Sequence, residues 1–236
     1  MVKALVTRPQ PDADRFATMC MAHGVEPVIA PLMSVEFCDD WETPKETGAF
    51  AFTSANGVRA FARARRIRTL PAFCVGEATA EAAREVQFLA IHTANGDVAS
   101  LAALIARHTG AFKGPVAHIA GDRLAGDLVG ALQQESVSAV QLCAYKARAV
   151  DALPETARNA LGGGRALAVT LFSPRTAQLF LTLVERANMT EALARCRAVC
   201  LSDAVARAAS GASWRVIDTA PARTVDSMIA IMKSGA

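Results

Sequence analysis

The sequence predicts an α/β protein built on parallel sheets, and three observations carry that prediction. Short apolar runs alternate with helically spaced segments from one end of the chain to the other. The stretch Ala49 to Val58, AFAFTSANGV, leaves a run rich in Phe and Ala and turns polar at Thr53-Ser54-Ala55-Asn56-Gly57. Helical spacing then resumes from Val58 to Ala64. The same arrangement returns at Ala166 to Phe180, ALAVTLFSPRTAQLF, through Ser173-Pro174-Arg175-Thr176. Apolar runs without alternation are the pattern of strands buried on both faces. Two equivalent turns imply two equivalent half-molecules.

Taken in order, Lys3 to Thr7 reads as a strand, Arg8-Pro9-Gln10-Pro11 as its loop, and Asp12 or its neighbour as the cap of a helix reaching His23. Gly24 stops that helix, Val25 to Ala30 forms a strand, and Pro31 to Phe37 runs on extended before a polar loop at Asp39 to Pro44. After the opening strand and helix, Ala72 to Val75 is a strand, Gly76 to Ala80 a second polar turn, and Ala78 to Val86 a helix. Phe88 to His92 returns to strand, and Asp97 to His108 is a capped helix. Pro115 to Ala120 is a strand, Arg123 to Glu135 a helix, and Ser138 to Ala144 a strand that continues through Tyr145, Lys146 and Arg148. Leu153 to Leu161 is helical and stops at Gly162-Gly163-Gly164, and Leu167 to Phe172 is a strand followed by a helix from Thr176 to Arg186. Arg197 to Leu201, Asp203 to Ala209, Arg215 to Thr219 and Thr224 to Lys233 complete the alternation.

An internal comparison orders these units. Val6 to Phe37 lines up loosely with Ile119 to Ala147, and AFTSANGV with CVGEATA matches LFSPRTA with CLSDAVA. The order is not a simple tandem. It is satisfied if the chain leaves its first domain near Phe37 and returns near Arg148. The expectation is two flavodoxin-like parallel-sheet domains, one discontinuous (1–35 plus 150–236) and one inserted (36–149). A two-stranded linker near 31–38 and 140–149 would act as a hinge.

Composition narrows the function. With 236 residues, Lys+Arg 25 against Asp+Glu 22 and a net charge of +3, the chain lacks the basic surface that nucleic-acid binding needs. The only basic cluster, Arg63 to Arg68, reads as a solvated helix end. The start, MVKALVTRP, is far short of a signal peptide or membrane span, so a cytoplasmic protein with no membrane partner is expected. Six scattered cysteines without a C-x-x-C pair fit buried thiols in a reducing compartment.

Ligands of open parallel sheets bind beyond the carboxyl ends of the strands, where loops and helix amino-termini converge. The candidates there are Thr7-Arg8, Thr53-Ser54-Ala55-Asn56, Gly76 to Thr79, Gly121-Asp122-Arg123, Ser173-Pro174-Arg175 and Ser202-Asp203. If the domains face each other, these loops line one cleft rich in hydroxyls, main-chain donors and arginine. That chemistry suits a ligand carrying several carboxylates or phosphates. The same residue types also cap helices in any α/β protein. No G-x-S-x-G elbow, Walker loop or H-E-x-x-H is present, and His23, His92, His108 and His118 fall singly, so no metal site is expected. Tyr145, the one tyrosine, sits on the second crossing tail. It is either a phenol for a leaving group or charged intermediate, or a packed linker aromatic.

Together the VTRP start, AFTSANGV, CVGEATA, VAHIAGDR, CAYKA, LFSPRTA, CLSDAVA and the TAPARTVDSMIAIM tail resemble the uroporphyrinogen-III synthase family over essentially the whole chain. The resemblance implies two linked α/β domains that work without metal or organic cofactor. The substrate would be hydroxymethylbilane, closed with inversion of its terminal pyrrole and loss of water. It implies that Tyr145 assists departure of the hydroxyl and that Ser54, Thr79 and Ser173 hold side-chain carboxylates. Arg8, Thr53, Asn56, Gly76, Arg123, Arg175 and Ser202 complete the expected binding set. Where many members carry Gly and a Thr pair, this chain has Ser202-Asp203-Ala204-Val205, so the hydroxyl donor there is either lost or moved to Ser202. A monomer is expected, with at most transient contact with the preceding pathway enzyme. The alternative is a non-catalytic two-lobed cytosolic ligand-binding or regulatory module.

Overall fold

The computed structural model describes residues 2–124, 126–164 and 167–234. Ala125, inside the helix expected from Arg123, and Ala166, where the second strand-turn-helix stretch begins, lie outside them. The elements are β1 (Val2–Val6), α1 (Asp12–Ala22), β2 (Val25–Ile29), β3 (Met33–Phe37), β4 (Ala49–Phe52), α2 (Ala55–Ala64), β5 (Ala72–Cys74) and α3 (Glu77–Glu85). Then come β6 (Ile91–Thr93), α4 (Val98–Ala106), β7 (Val116–Gly121), α5 (Leu128–Gln134), β8 (Ala139–Ala149), α6 (Glu155–Gly162) and β9 (Leu167–Leu171). The chain finishes with α7 (Pro174–Arg186), β10 (Cys196–Cys200), α8 (Asp203–Ala209), β11 (Val216–Thr219) and α9 (Val225–Ser234).

Two units result, Met1–Ser34 with Arg148–Ala236, and Val35–Ala147. The first holds a parallel sheet ordered β11-β10-β9-β1-β2, and the second a sheet ordered β3-β8-β7-β4-β5-β6. Counted along its own chain, the first sheet has the flavodoxin order 2-1-3-4-5. The second reaches the same spatial order by a different route, because β8-β7-β4-β5-β6 matches β2-β1-β9-β10-β11 strand for strand while the chain enters at β4. This permutation is the physical form of the non-tandem repeat in the sequence.

Each sheet is covered on both sides because its central strands are apolar on both. In β4, Phe50 and Phe52 face α2 and α3 with Phe61 and Phe88, while Ala49 and Ala51 face α4 and α5 with Phe73, Leu101 and Ile105. In β9, Leu167, Val169 and Leu171 pack with Phe180 and Leu183 of α7, and Ala168 turns towards α1 and α9. Burying each such Phe or Leu contributes roughly 1.5–3 kcal/mol.

Four details depart from expectation. One edge pair is not parallel: Cys38 N–H donates to Ala144 O at 2.9 Å and Val150 N–H to Leu32 O at 3.0 Å, the descending register of an antiparallel pair formed by β3 and β8. Helix α5 starts at Leu128, not near Arg123, because Asp127 accepts Gly130 N–H at 2.8 Å and caps it there. The strand expected at Phe88 starts at Ile91, and Phe88 joins the cluster of Phe50, Phe52 and Phe61. A 3-10 turn at Thr190–Arg195, unforeseen, precedes β10.

Candidate active site

In an open α/β sheet the crevice opens where neighbouring strands send their connections to opposite faces. In the Val35–Ala147 unit that point lies between β7 and β4, and the sequence stations its polar groups there. Helix α2 begins three residues earlier than its spacing suggested, because Ser54 is extended and its Oγ accepts Asn56 N–H at 3.1 Å. Gly57 lets the first turn of α2 press on β7, since a Cβ there would collide with the Ile119 carbonyl. Ser54 and Thr53 therefore stand at the carboxyl end of β4, both partly exposed.

Tyr145 reaches this point from β8. Its ring is buried, 9% exposed, in the cluster that holds Phe50 and Phe52. The register of β8 against β7 shifts between Ala120 and Gly121, pairing Gly121 with Tyr145. A Cβ on Gly121 would lie 2.8 Å from two carbons of the Tyr145 ring, so only glycine lets the phenol lie against this strand end. The next residue holds it in place. Asp122 N–H donates to Tyr145 O at 3.0 Å, and Asp122 Oδ1 accepts Ala147 N–H at 3.2 Å.

Burial pushes the Tyr145 phenol above its ordinary pKa, a hydrogen bond from Ser54 pulls it partly back, and the Asp122 charge adds to the rise. The phenol therefore stays protonated at neutral pH. The Ser54 hydroxyl, which accepts from Asn56, carries a single proton that can turn to Tyr145 Oη or outward to a ligand. With the Ser54 proton turned inward, the phenolic proton is free to meet a ligand.

The other predicted residues of this unit are arranged as follows. Gly76, extended, begins α3 with no side chain to cap it, and Thr79 in the first turn is only 5% exposed. Asn56 Oδ1 accepts from Arg59 at 2.9 Å, which ties its side chain locally. Arg123 is exposed in the loop after β7 and does not begin a helix.

The Met1–Ser34 and Arg148–Ala236 unit has its own edge at the ends of β1, β9 and β10. Thr7, a neighbour of the predicted Arg8, donates to Thr170 O at 2.7 Å inside the sheet and offers nothing outward. Arg8 pairs with Asp12 at 3.1 Å and lies 4.3 Å over the Phe172 ring. Ser173 caps α7, accepting Thr176 N–H at 3.1 Å and bonding the Thr176 hydroxyl at 2.8 Å, with Arg175 one residue inside the helix. Ser202 begins α8 without any side-chain capping bond. Its hydroxyl is left for a hollow of about 300 Å³ lined by Ser202, Asp203, Thr219, Ala220, Pro221 and Arg223. Asp203 is the first residue of α8, where the acid meets the helix amino-terminus.

Comparison with known families finds the uroporphyrinogen-III synthase HemD family over residues 14–230, nearly the whole chain. The chain belongs to the uroporphyrinogen-III synthase family. Uroporphyrinogen-III synthetase from Helicobacter pylori superimposes with a TM-score of 0.66 at 15% identity, covering 100% of this chain and 99% of that one. A mutant uroporphyrinogen III synthase from the extremely thermophilic bacterium Thermus thermophilus gives 0.57 at 18% identity, covering 99% and 98%. At such identities the likeness speaks for the fold. No curated protein matches the sequence.

Two residues at the strand ends of this uroporphyrinogen-III synthase family member escaped the sequence reading. Thr219 and Arg223 flank the hollow beside Ser202, and their position at the end of the last strand and just beyond it was the available signal. His118 has the sequence setting of an ordinary core histidine. It is fully buried, with Nε2 2.9 Å from Thr53 Oγ1. Among the described residues no cluster of three or more His, Cys, Asp or Glu is placed to hold a metal ion, and no helix is long and apolar enough to cross a membrane.

Proposed function

We propose that the chain closes hydroxymethylbilane to uroporphyrinogen III in haem biosynthesis, with Tyr145 as the hydrogen-bond donor to the departing hydroxyl. Family membership supports the reaction, a cyclising loss of water. The observation that carries the residue assignment is the buried phenol, kept protonated beside the Ser54 cap of α2 at the mouth of its sheet.

The carbon–oxygen bond of the hydroxymethyl group breaks with its electron pair going to oxygen, which takes up a proton and leaves as water. The remaining azafulvene-like cation is attacked by a carbon of the terminal pyrrole. Attack at the substituted carbon gives a spirocyclic intermediate; its reopening and reclosure at the other α-carbon, which then loses its proton, invert that ring and balance the proton that left in water. The bilane loses water readily, so the protein's task is to select the carbon attacked by holding the chain in one geometry. The donor groups suited to the acetate and propionate carboxylates are the hydroxyls of Thr53, Ser54, Thr79, Ser173 and Ser202. The Asn56 amide, the Gly76 backbone and Arg8, Arg123 and Arg175 complete the set. The reading extends to a cytoplasmic monomer that meets the preceding pathway enzyme only transiently. Six free cysteines fit a reducing compartment.

Freshly prepared bilane, incubated with the protein and resolved by chromatography after oxidation, is expected to yield the type III isomer. Type I product alone, the outcome without enzyme, would refute the assignment.

A further inference from the structure

His118 and Thr53 meet across β7 and β4. Ala51 of β4 pairs with His118 of β7, and Thr53, two residues on, shares the face of Ala51. This sets Thr53 Oγ1 2.9 Å from His118 Nε2. The imidazole is 0% exposed, and its other nitrogen, Nδ1, is buried with no hydrogen-bond partner among the described residues.

Two arrangements satisfy that distance. With the proton on Nδ1, Thr53 would donate its hydroxyl proton to a bare Nε2, and a buried N–H would be left unpaired. With the proton on Nε2, the imidazole donates to Thr53, and only a lone pair on Nδ1 goes unsatisfied. Orphaned buried N–H groups are the rarer of the two in folded proteins. The second arrangement also changes what Thr53 offers the partly exposed edge, because its oxygen accepts from inside and its own proton points out.

We propose that His118 is a positioning residue that carries its single proton on Nε2, donates to Thr53 Oγ1, and thereby sets the Thr53 hydroxyl as a donor to a substrate carboxylate. Burial supports the neutral ring, holding the His118 pKa down to about 4 against the opposing pull of the Asp127 charge. The carboxylate part rests on the substrate reading above; the proton's position does not.

Nitrogen-15 NMR of the full chain labelled at histidine separates the two. The His118 signal is identified by its loss in His118→Gln. Near neutral pH, Nε2 is expected to carry the proton and Nδ1 to show the shift of an unprotonated ring nitrogen. A proton on Nδ1, or on both nitrogens, would overturn the proposal. In kinetics with hydroxymethylbilane, Thr53→Val and His118→Leu are each expected to raise KM roughly tenfold with little change in kcat. The double variant should be no worse than Thr53→Val, and His118→Gln, which keeps an N–H near the Nε2 position, should recover most of the loss. Additive effects, or losses confined to kcat, would refute the positioning role. If the wild type made no type III product, the substrate reading would fall while the NMR result still decided the tautomer.

Discussion

Tyr145 owes its place to a missing side chain. Because a methyl at Gly121 would sit 2.8 Å from the phenol ring, Gly121→Ala must shift the ring or the strand end. The expected result is a fall in kcat of roughly tenfold or more, with KM and the unfolding midpoint changed far less. Steady-state kinetics beside denaturant melts would check it. His118 gives a second residue-scale expectation. Its folded pKa lies near 4 against an ordinary 6.5, so the unfolded chain binds more protons between those values. Its contribution is therefore complete above about pH 6.5 and is lost as pH falls towards 4, a change of up to about 3 kcal/mol. Denaturant unfolding of wild type and His118→Gln across that window should show the wild type losing the larger share of its stability.

At the scale of elements, the serine that caps α2 and the serine that caps α7 each combine helix capping with exposure at a strand end. Replacing Ser54 by Ala should cost about 1 kcal/mol of stability and weaken substrate capture together. Ser54→Asp separates the two effects, since aspartate caps equally well but sets an anion where a carboxylate is to bind. Wild-type stability with a raised KM is expected, and unchanged KM in Ser54→Asp would remove Ser54 from the binding set. Elements of this kind were legible because apolar runs, caps and glycine stops are local signals. Helix α5 was misplaced at its start because Asp127 and the residues before it compete as caps, and only packing decides between them. Phe88 was misread as strand because its hydrophobicity serves an aromatic cluster drawn from β4 and α2. The partner of His118 lies 65 residues away, a separation that no periodicity reveals.

For the whole molecule, the permuted order of the second sheet explains why two similar units do not read as a simple tandem in sequence. Each unit closes its own core, and this predicts which thiols are silent. Cys20, Cys74, Cys196 and Cys200 are buried, with burial pushing their thiols up to about 11, 12, 11 and 12. Exposed Cys143 should alkylate first and half-buried Cys38 next, with the other four reacting only on unfolding, as mass spectrometry of iodoacetamide-treated protein would show. The central claim is that positioned donors choose the product while one phenol eases departure of the hydroxyl. Turnover of hydroxymethylbilane by Tyr145→Phe, with the isomer identified, tests it most directly. A rate lowered roughly tenfold to a hundredfold with type III still formed is the expected result, and an unchanged rate in a folded variant would contradict it.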